Sequence, residues 1–205
     1  MNANKLVKQF FSKRTWTISS EEKEIFLTFD DGPIPEVTPW VLNTLRKHNA
    51  KATFFCIGDN IKKYPELFKQ ISAEGHAIGN HTFHHLNGWR TSTEEYLEDV
   101  KRCQDEIESN AITSNVFRPP YGKCTSAQAK SILEKCNHII MWDIISKDYD
   151  QYISKEKCFN RIRNQAKPGS IIVFHDSLKA EHNMKYALEK TLEEFSHFEF
   201  KKILL

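Results

Sequence analysis

Two carboxylates stand side by side at Asp30 and Asp31, directly behind the apolar run Ile25-Phe26-Leu27 and ahead of a Gly32-Pro33 turn. Neighbouring residues of an extended chain point to opposite faces. A tight turn can still bring both carboxylates to one place, where one holds a cation and the other handles a proton. Alone, the dipeptide is more commonly a turn or a helix cap, because Asp and Gly are frequent turn formers. A second cluster, His81-Thr82-Phe83-His84-His85, spaces two imidazoles at i and i+4. That spacing puts both on one side of a helical turn, and neutral imidazole is a good ligand for zinc and similar divalent ions. Thr82 stands where the zinc-protease motif has Glu, so that motif is absent. His84 is left as a supporting or a surface group. In Arg118-Pro119-Pro120-Tyr121-Gly122 the prolines hold the chain extended. That can present Arg118 to a carboxylate and the Tyr121 N–H to a ligand. A fourth cluster, Val173-Phe174-His175-Asp176, ends an apolar run with a His suited to acid or base work near neutral pH.

Singly these clusters are weak; as a set they describe a hydrolase. Two His and one carboxylate around zinc, with a position left open, form an established catalytic set. Such a metal lowers the pKa of bound water to about 7 and polarises a carbonyl. A second carboxylate can take the water's proton and a distant His can protonate a leaving amine, which is the chemistry of amide or ester cleavage.

The elements that must position these groups alternate in type. Strand-like runs fall at 24–29, 52–57, 76–79, 115–118, 138–143, 170–174 and 198–204. Helical stretches fall between them. Thr38 with Pro39 makes an N-cap and N1 pair, Pro65 opens a helix that stops near Gly75, and Ser92 with Glu95 forms a capping box for a helix to about residue 109. Further helices are expected at 126–135, 154–166 and 180–195. About seven strands alternating with about six helices mean βα units and a mainly parallel sheet. An open doubly wound sheet and a barrel both fit. The polar clusters, including the stretch Asp143 to Asp148, lie at the C-terminal ends of several strands, and that favours the barrel, whose active sites are assembled there.

Composition narrows the partners. The 205 residues suit one domain, and 40% hydrophobic with 27% charged residues describes an ordinary folded chain. A net charge of +2, with no basic block, gives no reason to expect nucleic acid. The five Cys are widely spaced and odd in number, which argues for free, mostly buried thiols. No apolar run approaches the roughly 20 residues of a membrane span. Residues 1–16 place Lys5, Lys8, Lys13 and Arg14 around Leu6-Val7 and Phe10-Phe11, too broken for a secretory signal and better suited to docking on the chain's own domain. The sequence therefore reads as cytoplasmic, with residues 1–22 as an N-terminal extension and 23–205 as the domain.

The order and context of the motifs resemble the polysaccharide deacetylases of carbohydrate esterase family four, the NodB homology domain, over residues 24–204. Thr28-Phe29-Asp30-Asp31-Gly32-Pro33 matches the first family motif unchanged; His81 to His85 matches the second and Arg118-Pro119-Pro120-Tyr121 the third. The resemblance implies a distorted or incomplete (β/α) barrel of about seven parallel strands. It implies Asp30 as general base and Asp31, His81 and His85 as ligands of a divalent metal, zinc first, with cobalt or nickel as alternatives. Arg118 would orient a catalytic carboxylate, the Tyr121 N–H would help hold the oxyanion, and His175, tuned by Asp148, would be the general acid. The implied substrate is an acetylated carbohydrate.

Two motifs depart. The family tends to show Asp-x-x-Asp-Trp where this chain has Ile145-Ser146-Lys147-Asp148-Tyr149, so Tyr149 takes the place of a groove-wall Trp. Val173 replaces Leu in the pocket that would hold the acetyl methyl. Two other readings stay open on sequence: a related cytoplasmic amidohydrolase acting on a small cyclic amide or ureide, and a non-catalytic carbohydrate-binding homologue.

Overall fold

The computed structural model of the chain describes residues 13–20, 22–135 and 138–205. The strands are β1 (Arg14–Thr15), β2 (Glu24–Asp30), β3 (Ala52–Cys56), β4 (Ala77–Asn80), β5 (Val116–Phe117), β6 (His138–Ile140), β7 (Ile144–Ile145), β8 (Ser170–His175) and β9 (Glu199–Phe200). The helices are α1 (Thr38–Lys47), α2 (Gly58–Lys63), α3 (Pro65–Ala73), α4 (Thr93–Ser109), α5 (Ser126–Lys135), α6 (Lys155–Arg163) and α7 (Glu181–Glu194). The sheet order is β1-β6-β5-β4-β3-β2-β8-β7, with β9 also pairing β2, and every ladder is parallel.

That order is an incomplete barrel. β6 and β7 stand towards opposite ends of the sheet, yet only Met141, Trp142 and Asp143 join them. A chain covers at most about 3.6 Å per residue, so the two ends lie within roughly 14 Å of each other. The strand expected over 138–143 is confined to His138–Ile140, and residues 141–143 cross from β6 to β7 at the other end of the sheet. β1 and β7 are additional to the seven expected strands, and both are too short for a period of two to show. The last strand is confined to Glu199–Phe200 instead of 198–204. In the segment read as an extension, Arg14–Thr15 pairs with β6 and Thr17 bridges Ser170. Residues 1–12, where most of the basic-apolar stretch falls, lie outside the described residues.

Alternation along the strands separates two layers. Ile25, Leu27 and Phe29 pack outward with helix residues such as Val41, Leu45 and Leu188, and Phe29 stacks on Phe54 and Phe174 at 5.0 and 5.8 Å. Phe26, Phe55, Ile140 and Ile171 form a separate inner cluster. By the same period of two, Thr28 and Asp30 follow Phe26 inward on β2, and Val173 and His175 follow Ile171 on β8. Both faces are buried, so the strands read as nearly continuous apolar runs. Among the described residues, no helix is long and apolar enough to cross a membrane.

Candidate active site

The β2–β8 register puts Asp30 level with His175 at the C-terminal edge of the sheet. Asp30 faces inward and is nearly inaccessible. Its Oδ1 accepts a hydrogen bond from Arg118 Nη1 at 2.8 Å. Arg118 is wholly buried, and the rest of its guanidinium donates to Thr28 Oγ1 at 2.7 Å, to the Ile140 carbonyl at 3.2 Å and to the Met141 carbonyl at 2.9 Å. It also lies over the Phe55 ring at 4.1 Å. Burial pushes the Asp30 pKa up, but the opposing effects, the charge of Arg118 foremost, outweigh it and hold the carboxyl below its ordinary value. Asp30 is thus a fixed carboxylate at neutral pH.

Asp31 turns away at φ +87°, in the left-handed region that side chains disfavour. Its carbonyl accepts from Asn60 Nδ2 at 2.8 Å, and the next N–H, of Gly32, donates to Asp176 Oδ1 at 3.0 Å. Asp176 is buried and also accepts from Thr38 Oγ1 at 2.6 Å. Burial pushes its pKa up to about 8, against the opposing pull of those two donors. Thr38 is therefore not the N-cap of α1: the helix begins at Thr38 after Val37, with no side-chain cap, and the hydroxyl is used on Asp176.

His81 and His85 converge on Asp31, but not through a helical turn. Residues 81–85 are a loop, with Thr82 at φ +63° and His85 at φ +57°. Two residues, Asn80 and Asp99, hold it. Thr82 N donates to Asn80 Oδ1 at 2.9 Å, Phe83 N and His84 N both donate to Asp99 Oδ2 at 2.9 Å, and His84 Nδ1 meets Asp99 Oδ1. His84, the spare of the motif, ties this loop to α4. Left-handed non-glycine residues cost about 1–3 kcal/mol each and persist where surroundings over-determine them. Asp31, Thr82, His85 and Tyr121, at φ +59°, are all of this kind.

Asp31, His81 and His85 each offer a ligand atom within 4.8 Å of the others. His81 Nδ1 lies 2.7 Å from the Arg118 carbonyl, so Nδ1 carries the proton and Nε2 presents its lone pair. Nε2 of His81 and of His85 lie 3.9 and 3.3 Å from Asp31 Oδ1. Burial pushes His81 down to about 4 and lowers His85 as well, so both rings are neutral at pH 7. Asp31 Oδ1 is buried without a hydrogen-bond partner. Lone pairs on two neutral imidazoles and a carboxylate face one point, and the donor set fits a divalent cation.

Beside Asp30 on the neighbouring strand, His175 Nδ1 meets Asp148 Oδ1 at 2.7 Å, and His175 N donates to Asp148 Oδ2 at 2.8 Å. Burial opposes the imidazolium, but Asp148 and then Asp31 and Asp30 prevail and push His175 up to about 9. Tyr149 packs edge-on against the His175 ring at 4.9 Å, and Tyr121 against His85 at 4.7 Å. A cavity of about 630 Å³ opens over the set, lined by Asp30, Asp31, His81, His85, Tyr121 and His175, with Trp142, Ile145, Tyr149 and Val173 as its apolar wall.

The same constellation has relatives. Residues 17–139 match the polysaccharide deacetylase family. The chain belongs to that family. It is 37% identical to a peptidoglycan-N-acetylglucosamine deacetylase of Bacillus cereus over 155 residues, 75% of this chain and 56% of that protein. It is 39% identical to a chitooligosaccharide deacetylase of Azorhizobium caulinodans over 166 residues, 78% of this chain and 76% of the relative. A solved peptidoglycan N-acetylglucosamine deacetylase, in complex with a naphthalenyl N-oxidanyl-benzamide, superposes with TM-score 0.88 at 30% identity, covering 93% of this chain and 91% of that one. The family match ends at residue 139, whereas Asp148 and His175 of this polysaccharide deacetylase chain come after it.

The structure thus gathers Asp30, Asp31, His81, His85, Arg118, Tyr121, Tyr149, Val173 and His175 around or directly beneath one cavity, with Asp148 behind His175. The sequence reading passed over Asp99, Asn80 and the bond from Thr38 to Asp176. Asp99 lies among Glu94, Glu95 and Glu98 on an acidic helix, and nothing in its spacing distinguishes it. Asp143, counted with the polar strand ends, faces the sheet: it accepts from Ile171 N and Ser170 Oγ at 2.9 and 3.0 Å.

Proposed function

We propose that this chain hydrolyses N-acetyl groups, and secondarily O-acetyl groups, on N-acetylglucosamine-containing poly- or oligosaccharides and releases acetate. The observation that carries the reading is a pair set level on neighbouring strands at one cavity: Asp30 held ionised by Arg118, and His175 held protonated by Asp148. Two titratable groups pushed in opposite directions assign base and acid.

Asp31, His81 and His85 would hold the ion, zinc first, with cobalt or nickel able to substitute. When bound, it supplies Lewis-acid polarisation of the acetyl carbonyl and acidifies the attacking water. Asp30 accepts that water's proton. Its ion pair with Arg118 keeps it ionised before the reaction and fixes its direction. The backbone N–H of Tyr121 donates to the oxygen that gains charge at the acetyl carbon. Trp142, Ile145 and Val173 form the apolar wall for the methyl group. His175 gives its proton to the departing sugar nitrogen, and Asp148 steadies the imidazole through that transfer. Acetate and the free amine leave.

The test is acetate release from N-acetylglucosamine oligomers after chelation and after re-addition of zinc, cobalt or nickel, beside Asp30→Asn. Loss on chelation, recovery with metal and a near-dead Asp30→Asn variant are expected. Activity indifferent to both treatments rules the reading out, and turnover of cyclic ureides with none of acetylated sugars replaces the substrate.

A further inference from the structure

The end of β8 sends two consecutive residues to opposite sides of the sheet. His175 points into the cavity, and Asp176 points out towards the start of α1. The Asp176 carboxylate is wholly buried, and no ion pair of the described residues includes it. A buried carboxyl group without a counter-charge is costly, so packing alone does not account for it.

Both of its oxygens serve one turn. Oδ1 accepts from Gly32 N at 3.0 Å. Oδ2 accepts from Thr38 Oγ1 at 2.6 Å, and that hydroxyl accepts in turn from Ile34 N at 2.8 Å. The approach is close: a Cβ on residue 32 would lie 2.7 Å from Oδ1, and glycine leaves the room. Gly32 N belongs to the same peptide group as the Asp31 carbonyl, which accepts from Asn60 Nδ2 at 2.8 Å. That peptide group is therefore gripped at both ends, by Asn60 and by Asp176. The grip matters because Asp31 Oδ1 is buried with no hydrogen bond of its own. Nor does the residue's own preference hold it at φ +87°. The main chain sets the direction of the Asp31 carboxylate, and these two contacts set the main chain. Asp30 is fixed otherwise. Arg118 holds its carboxylate, and its carbonyl accepts from Asp176 N at 3.1 Å, a backbone bond that outlasts any change of the Asp176 side chain.

We infer that Asp176 is a positioning residue for the metal ligand Asp31, acting through the Gly32 N–H, and that what it supplies is a hydrogen-bond acceptor and not a charge. This rests on Asp31 as a metal ligand, hence on the deacetylase reading, and adds to it a residue that stands outside the cavity.

The experiment measures zinc affinity by competition with a chromogenic chelator, and acetate release from an N-acetylglucosamine tetramer at saturating zinc. The wild type is compared with Asp176→Ala, Asp176→Asn, Thr38→Val and Ile132→Ala. Ile132 belongs to a separate core cluster with Tyr96 and Phe117, so its truncation controls for a merely structural loss. Asp176→Ala leaves the Gly32 N–H without its acceptor, and zinc should bind about 10–100-fold more weakly. At saturating zinc kcat should fall by only about threefold and KM should hold, because Asp30, Arg118 and the apolar wall keep their contacts. Asp176→Asn keeps an oxygen towards Gly32 N and turns its NH2 to Thr38 Oγ1, so its zinc affinity should stay within about threefold of the wild type. Thr38→Val, which frees only Oδ2, should fall between the two. Ile132→Ala should melt lower with zinc affinity unchanged. A folded Asp176→Ala that binds zinc like the wild type overturns the inference. So does Asp176→Asn as weak as Asp176→Ala, or an equal weakening in Ile132→Ala. If Asp176→Ala does not fold, Thr38→Val decides, and unchanged zinc affinity there overturns the inference. A wild type that binds no zinc overturns both readings. Zinc binding with the expected order of variants but no acetate release overturns the deacetylase reading alone.

Discussion

Removing the carboxylate behind the acid tests the division of labour most sharply. Asp148→Asn keeps the side chain's shape but removes its charge, and leaves one acceptor oxygen where two now serve His175 N, His175 Nδ1 and Tyr149 N. In the present structure His175 is pushed up to about 9. An ordinary His titrates near 6.5, so the environment favours the imidazolium by about 3 kcal/mol. Burial disfavours the charged ring and Asp148 is the foremost group opposing it. Without Asp148 burial prevails, and the pKa falls to about 6.5 or lower. At pH 7.5 the proton needed by the leaving amine is then present in about one molecule in ten or fewer. Activity should drop at least about tenfold from protonation alone, and towards a hundredfold with the ring no longer oriented.

The alkaline limb of kcat/KM carries the clearer signature. In the wild type it reflects His175 losing its proton, and in Asp148→Asn it should move down by more than one pH unit. A bound dication lowers the His175 pKa in both proteins, so the displacement between them survives. Stability follows the same group. A His whose folded pKa lies above its unfolded value stabilises fully below about pH 6.5 and loses that contribution as pH climbs to about 9. The Tm gap between wild type and variant should therefore be widest in the acid range and close above pH 9. Acetate release from pH 5 to 10 at fixed zinc, with thermal melts across the same range, measures both. An alkaline limb that stays in place in a folded variant refutes His175 as the acid.

Other perturbations read the supporting contacts. Gly32→Ala would set a Cβ 2.0 Å from Asp176 Oδ2, so the Asp31 turn must shift; a loss of about 1–3 kcal/mol in denaturant melts, together with weakened zinc affinity by competition with a chelator, is expected. Asp99→Ala frees the N–H groups of Phe83 and His84 and should weaken zinc retention about 10–100-fold with Asp31, His81 and His85 all intact. Arg118→Met leaves the buried Asp30 carboxylate without its counter-charge, at a cost of about 3–5 kcal/mol. Burial then raises the Asp30 pKa above its unfolded value, so the deficit should be smallest in acid and grow as pH rises past about 4.

Most of the fold was legible because the long strands announce themselves. β2, β3 and β8 are buried on both faces, and their runs of Ile, Val and Phe have few other readings. The elements that escaped were decided by the rest of the molecule. Arg14–Thr15 and Ile144–Ile145 are strands only because β6 and β8 supply ladders for them, and no local pattern of two residues can say so. Gly58–Lys63 also escaped, since it opens with a Gly and carries no side-chain cap. Its N-terminus is fixed instead by the site, where Gly58 N and Asp59 N donate to the carbonyls of Thr82 and Phe83.

The site divides the same way, between groups that do chemistry and groups that hold them. Asp30, Asp31, His81, His85 and His175 were visible because titratable side chains at strand ends stand out against apolar strands. The manner of their convergence was not visible. The i and i+4 spacing of His81 and His85 suggested a helical face, yet the rings meet because Thr82 and His85 adopt left-handed φ. A β-branched Thr disfavours that conformation; Asn80 and Asp99 hold the loop in place through hydrogen bonds to Thr82, Phe83 and His84 from outside the motif. A spacing rule records only that two side chains can reach one point. Which backbone takes them there depends on partners such as Asp99, which lies 14 residues beyond His85 in the sequence and reads there as one more acid on a solvated helix.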